Sequence, residues 1–165
     1  MPAGTSKPMA EYFEANPEIL HGMVCFDLLV CNNDRRPENL LLASDDHVWL
    51  IDHGNALLYR PSGGRPAGIP RLREVRNSLK AVFDKPHHFL SAVRSRQSLN
   101  SWCDRIAALP DYLVTFIVET LPPELLTAEE RRELVEFLNE RKRSLKSLIA
   151  GHEELFPSLE GARDA

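Results

Sequence analysis

The sequence predicts a mainly α-helical fold that carries one small β-hairpin. Three observations lead to that class. Asn16-Pro17-Glu18 opens a stretch with apolar residues at helical spacing. Two short apolar runs, Leu40–Ala43 and Val48–Ile51, flank the turn residues Ser44-Asp45-Asp46-His47. Thr127-Ala128-Glu129-Glu130 then has capping-box spacing ahead of a long amphipathic run.

The first helix is expected to begin at residue 16. Asn16 can cap free amides, Pro17 suits the first helical position and Glu18 faces the positive helix end. Ile19, Met23, Phe26 and Val30 form one apolar stripe, and Leu20, Val24, Leu28 and Cys31 form a second. A helix apolar on two stripes is mostly buried. Asn32-Asn33-Asp34 ends it with turn chemistry. The β-branched and aromatic residues of the next two runs favour strands, joined as a hairpin. Pro and Gly are too dense in 61–72 for regular structure. Helices are expected over 73–84, 86–94, 98–108, 111–120 and 127–150, with Ser98 or Asn100 capping the third. Leu134, Leu138, Leu145, Leu148 and Ile149 give the last helix its apolar face. Its charged run, from Arg131 through Arg141, Lys142 and Arg143 to Lys146, reads as a solvated face. Residues 1–15 and 157–165 read as tails around a folded unit over 16–156.

Composition narrows the function classes. The chain has 165 residues, the length of one domain with one core, and 43% of them are hydrophobic. A net charge of -4 gives no basic field to hold nucleic acid. Cys25, Cys31 and Cys103 show no zinc-finger spacing and read as reduced thiols, the first two as small core residues. No apolar run is long enough to span a membrane, and the first residues lack a signal-peptide core. A soluble, cytoplasmic protein is expected.

The informative stretch is Asn32-Asn33-Asp34-Arg35-Arg36-Pro37-Glu38-Asn39, then the hairpin, then Ile51-Asp52-His53-Gly54. Strands of a hairpin lie about 5 Å apart. Asn39, entering the first strand, and Asp52, leaving the second, therefore emerge side by side, with Asp34 close by. Two oxygen ligands and one further carboxylate suit a hard cation such as Mg²⁺, whose shell phosphate oxygens complete. A carboxylate beside a bound phosphate can orient a hydroxyl and accept its proton. Taken singly, each residue reads as turn chemistry. The joint pattern, with a hairpin of the right length between its halves, favours a phosphoryl-transfer centre. Asp27 interrupts an apolar helix and needs a buried partner; bracing the Asp34 loop through backbone amides, Arg35 or Arg36 is its expected role. His87-His88 lacks a third ligand at useful spacing and reads as surface or core filler rather than metal-binding.

The pattern Asn32-x-Asp34-Arg35-x-x-x-Asn39-Leu40-Leu41, followed by Leu50-Ile51-Asp52-His53-Gly54, resembles the catalytic centre of HipA-like kinases. It is also similar to that of phosphoinositide 3-/4-kinases. Phe26-Asp27 and Ala56-Leu57 suit the HipA-like group as well, and the close match covers about residues 23–58, roughly a third of the chain. The resemblance implies an isolated C-terminal lobe of the protein-kinase-like fold that uses ATP and Mg²⁺. Asp34 would be the catalytic base, and Asn39 and Asp52 the metal and cofactor ligands. Arg35 would join the catalytic set by pairing with a phosphate or would brace the loop. His53 stands where many kinases carry Phe. The acceptor would be a protein serine or threonine.

A whole kinase needs a second lobe that covers the nucleotide. The residues before the expected first helix hold Lys7 but no room for such a sheet. A separate polypeptide supplying that lobe, a truncated gene, or a lobe recruited as a non-catalytic interaction module would each explain this. Apolar surface left open by the missing lobe would favour association with that polypeptide or self-association. A metal-dependent phosphohydrolase using the same acidic residues is the weaker alternative.

Overall fold

A computed structural model describes residues 6–43, 47–58, 67–80, 82 and 87–160. Among them, helices α1 (Ser6–Ala15) and α2 (Pro17–Val30) are followed by strands β1 (Leu40–Leu42) and β2 (Val48–Leu50). Helices α3 (Ile69–Val75), α4 (Arg96–Ala107), α5 (Asp111–Glu119) and α6 (Ala128–Ala150) complete the fold. It is mainly helical with one antiparallel pair of strands, as the sequence predicts. The hairpin register pairs Leu40 with Leu50, Leu41 with Trp49 and Leu42 with Val48. Ser44–Asp46 of the turn lie outside the described residues, as do 59–66 of the Pro/Gly-rich stretch.

The N-terminal segment departs from the expected tail. It forms α1, which buries Met9 and Phe13, one helical turn apart, in the main core. The Phe13 ring stands edge-on to Phe89 at 5.5 Å. Asn16 does not cap α2; its amide instead donates back to the Tyr12 carbonyl at 3.0 Å and fixes the corner between α1 and α2. Pro17 opens α2 as expected. Both α2 stripes are not equally covered. Leu20, Met23, Val24 and Leu28 are buried, whereas Ile19 and Phe26 stay exposed at the rim. Cys25 is also buried, and the adjacent Cys103 thiol together with burial pushes its own thiol up, which keeps it protonated.

Other boundaries shift as well. The expected loop over 61–72 gives way to α3 at Ile69, with Pro70 in its first turn. The helix expected over 73–84 ends at Val75, and within 86–94 a single 3₁₀ turn, Leu90–Ala92, is present among the described residues. Ser95, not Ser98 or Asn100, caps α4: its side chain accepts from the Ser98 amide at 3.2 Å. The C-terminal tail begins later than residue 157. Leu159 is buried and the Glu160 amide donates to the Arg94 carbonyl at 2.9 Å. Residues 161–165 lie outside the described residues.

Helix α6 joins two apolar clusters. Leu134 and Phe137 pack with Cys31, Leu72, Val75 and Val118, while Leu145 and Ile149 pack with α1, α2 and α4. Its capping box is formed: Thr127 accepts from the Glu130 amide at 3.2 Å, and Glu130 accepts from the Thr127 amide at 2.9 Å. The charged run is not a uniformly solvated face. Arg141, between the two clusters in sequence, is fully buried and donates to the carbonyls of Leu28, Val75 and Arg76 at 3.2, 2.9 and 3.2 Å. Lys142 is buried against the Leu109 carbonyl and Asp111. Arg131 donates to the carbonyls of Val118, Leu121 and Pro122, which closes the C-terminal end of α5. Among the described residues no helix is long and apolar enough to cross a membrane.

Gly22 lets α2 and α4 approach. A Cβ there would stand 2.6 Å from two atoms of the Trp102 indole. Trp102 is itself held by a 2.9 Å bond to the Glu18 carbonyl and by Arg105 stacked 4.0 Å above its ring. Within a helix, Gly→Ala alone gains about 1 kcal/mol. Overpacking costs typically about 1–3 kcal/mol. Gly22→Ala is therefore expected to be destabilising by about 1 kcal/mol in urea unfolding; a more stable variant would contradict the packing.

Candidate functional site

The site is assembled around the end of α2. Val30 is its last helical residue, and Cys31 takes a left-handed conformation at φ 55° that turns the chain into the loop over 32–36. Asp27, in the last turn of α2, is fully buried. Its Oδ1 accepts from Asn32 Nδ2 and from Arg35 Nη2, both at 2.9 Å. Its Oδ2 accepts from Arg35 Nε at 2.9 Å and from His87 Nε2 at 3.2 Å. Every strong acceptor position of a buried carboxylate is thus used, which is what makes its burial tolerable. Burial by itself pushes the Asp27 carboxyl up, but the hydrogen bonds from His87 and Arg35 outweigh it and hold the group below the usual carboxylate range.

Arg35 carries this anchorage to the hairpin. Its Nη1 donates to the Asn39 carbonyl at 3.0 Å and to the Ile51 carbonyl at 2.8 Å. The Ile51 amide in turn donates to the Asn39 carbonyl at 3.0 Å. One guanidinium therefore ties together the end of α2, the entry to β1 and the exit from β2. Of the two roles the sequence allows Arg35, its contacts serve bracing. It is fully buried and its donors point at protein acceptors. The exposed arginine of the pair is Arg36, on the Asp34 carboxylate at 3.1 Å.

Asn39 enters the first strand and Asp52 follows the second at the same end of the hairpin, and the Asp34 loop is tied to both segments. Pro37–Asn39 forms a 3₁₀ turn, and Asn39 Nδ2 donates to the Asp34 carbonyl at 2.8 Å. With its nitrogen engaged, the amide offers its oxygen as the acceptor. Asp52 follows directly on the Ile51–Asn39 pairing. It is exposed, sits at φ 53°, and its Oδ1 accepts from the Gly54 amide at 3.4 Å. Asp34 is half-buried, and its Oδ2 accepts from Asn55 Nδ2 at 3.1 Å. Asn55 thus fastens the Asp34 carboxylate to the turn that begins with Asp52. His53 packs edge-on to Phe26 of α2, ring centres 5.6 Å apart.

Sequence reasoning missed Asn55 and Arg71, and it read His87 as surface or core filler without its partner Asp27. Asn55 has no signal beyond a polar residue after Gly54. His87 stands 60 positions from Asp27, and only the fold brings them together. Arg71 belongs to the stretch expected as a loop, yet it is buried and donates to the carbonyls of Cys31 at 2.8 Å and Asn55 at 3.1 Å, and to that of Leu57. Among the described residues the non-glycine positions with positive φ are Cys31, Asp52 and Leu57. All three belong to this assembly, where strained backbone commonly concentrates.

The donors available to a cation at this end of the hairpin are the Asp52 carboxylate and the Asn39 amide oxygen. No group of three or more His, Cys, Asp or Glu residues able to hold a metal occurs among the described residues. One carboxylate and one amide oxygen suit a cation that draws its remaining ligands from phosphate and water. The site is also open. Clefts of 860 Å³ along α4 and 730 Å³ between α1, α2 and residues 89–95 include none of Asp34, Asn39 and Asp52. Beside the site the hairpin presents the cross-strand pair Leu41 and Trp49, the latter 63% exposed, with Ile51 next to them. Compared with protein-family models, curated proteins and solved structures, the chain matches none.

Proposed function

We propose that this chain is the metal- and phosphate-handling lobe of an ATP-dependent phosphotransferase of HipA-like type, acting on a protein serine or threonine and completed by a second lobe on another polypeptide. The observation that carries the reading is the Arg35 brace. By gripping the Asn39 and Ile51 carbonyls from a buried Asp27, it sets Asn39 and Asp52 at one end of the hairpin. Asn39 and Asp52 are the residues that would hold Mg²⁺ on the nucleotide phosphates, where the ion neutralises charge. Asp34 takes the hydroxyl proton on its carboxylate, which Asn55 and Arg36 keep in place.

A second reading, a non-catalytic interaction module, draws on the exposed apolar face of Leu41, Trp49 and Ile51. In the enzymatic reading the second lobe covers that face. Calorimetry with ATP and Mg²⁺, with and without a candidate partner, separates the two. The enzymatic reading expects binding by the wild-type protein that Asp52→Ala abolishes. Absence of binding under both conditions rejects it.

A further inference from the structure

His87 is buried and stands against the Asp27 carboxylate, yet the phosphotransfer reading gives it no part. Both of its ring nitrogens are engaged, and the engagement fixes the tautomer. Nδ1 accepts from the Phe89 amide at 3.3 Å, so that nitrogen carries no proton. Nε2 therefore carries it and donates to Asp27 Oδ2 at 3.2 Å. The ring is held from the side as well. Phe89 stands edge-on to it at 6.2 Å, and the Phe89 ring packs in turn on Phe13 of α1. The Leu90 amide closes the local turn by donating to the His87 carbonyl at 3.2 Å.

Asp27 Oδ2 is shared between this imidazole and Arg35 Nε. Two donors from different segments thus meet on one oxygen and together set the orientation of the carboxylate. Arg35, held on that carboxylate, reaches the Asn39 and Ile51 carbonyls through Nη1. We propose that His87 is a positioning residue for Asn39 and Asp52: it holds the Asp27 carboxylate at the angle from which Arg35 grips the entry to β1 and the exit from β2. The proposal rests on the phosphotransfer reading for what this positioning serves, since Asn39 and Asp52 are the Mg²⁺ ligands there. Groups standing behind metal ligands fix the orientation of those ligands, and their loss is felt in metal affinity. A histidine that only filled space would be replaceable without regard to where its donor lies.

Two substitutions separate the two ring contacts. A Gln amide nitrogen extends to about the place of Nε2, whereas the shorter Asn amide reaches only to about that of Nδ1. His87→Gln should therefore keep the donor to Asp27, and His87→Asn should lose it while still meeting the Phe89 amide. In the full chain, His87→Asn should shift the Ile51 amide resonance and weaken Mg²⁺-ATP binding about tenfold, the low end for an outer partner of a metal site. His87→Gln should return both most of the way to wild type. The imidazole nitrogen resonances of the wild-type protein give a check that needs no variant: Nε2 should be protonated and Nδ1 not. A His87 protonated on Nδ1 overturns the proposal. So does an Ile51 resonance indifferent to His87→Asn, a His87→Gln variant as disturbed as His87→Asn, or a shifted resonance with unchanged Mg²⁺-ATP affinity. A wild-type chain that does not bind Mg²⁺-ATP rejects the phosphotransfer reading instead, and the Ile51 and imidazole resonances then still decide whether His87 sets the hairpin ends.

Discussion

Asp27→Ala is expected to destabilise the fold by about 3–5 kcal/mol, because it leaves the buried Arg35 guanidinium without its counter-charge. Arg35 and Asp27 are both fully buried. The Asp27 carboxyl titrates below its unfolded range, so its contribution is complete above the ordinary Asp value, near about 4, and is lost as pH falls through the lower folded value. Urea midpoints followed from neutral to acidic pH should show a steep acid limb in the wild type and a flatter one in Asp27→Ala. Adding Arg35→Met to Asp27→Ala should recover part of the loss, since the isolated charge is then gone. A single variant as stable as the wild type, with the same acid limb, would show that the pair does not hold the loop.

Under the proposed phosphotransfer, Asp34→Asn should lower turnover by about 10²–10⁴-fold, the usual weight of a positioned general base, and leave Mg²⁺-ATP binding in place. The isosteric amide keeps the side-chain shape and one acceptor oxygen beside Asn55 and Arg36, and removes the proton acceptor together with the charge paired with Arg36. The split between rate and affinity separates this role from that of Asp52, whose loss acts on binding. Single-turnover phosphorylation of a generic protein substrate, with calorimetry on the same preparation, checks it. Turnover unchanged in Asp34→Asn would refute the assignment.

The hairpin, the α2 start at Pro17 and the α6 capping box were legible in the sequence because each rests on residues close together in the chain. The placing of Asn39 and Asp52 at one end of the hairpin followed from the same local geometry. Asp27 announced itself as a carboxylate in an apolar stripe, and Arg35 was among its expected partners. Illegible were the groups whose partners are remote. Nothing near His87 points to Asp27, and nothing near Arg71 points to Cys31 or Asn55. Arg141 and Lys142 looked solvated because their neighbours in sequence are charged, while their acceptors are backbone carbonyls on other segments. Helix α1 was missed because Met9 and Phe13 alone are too sparse a stripe to distinguish from a loop.

The Arg141 clamp has a consequence for biosynthesis. Its acceptor at Leu28 lies 113 residues upstream. While a nascent chain is being made, α2 and the loop that follows it leave the ribosome long before their C-terminal keystone exists. Until then the carbonyls it will cover face water, and apolar surface meant for α6 is open to chaperones and to wrong partners. Native tightness around the end of α2 is therefore acquired only after Arg141 has been made, not as the loop itself emerges.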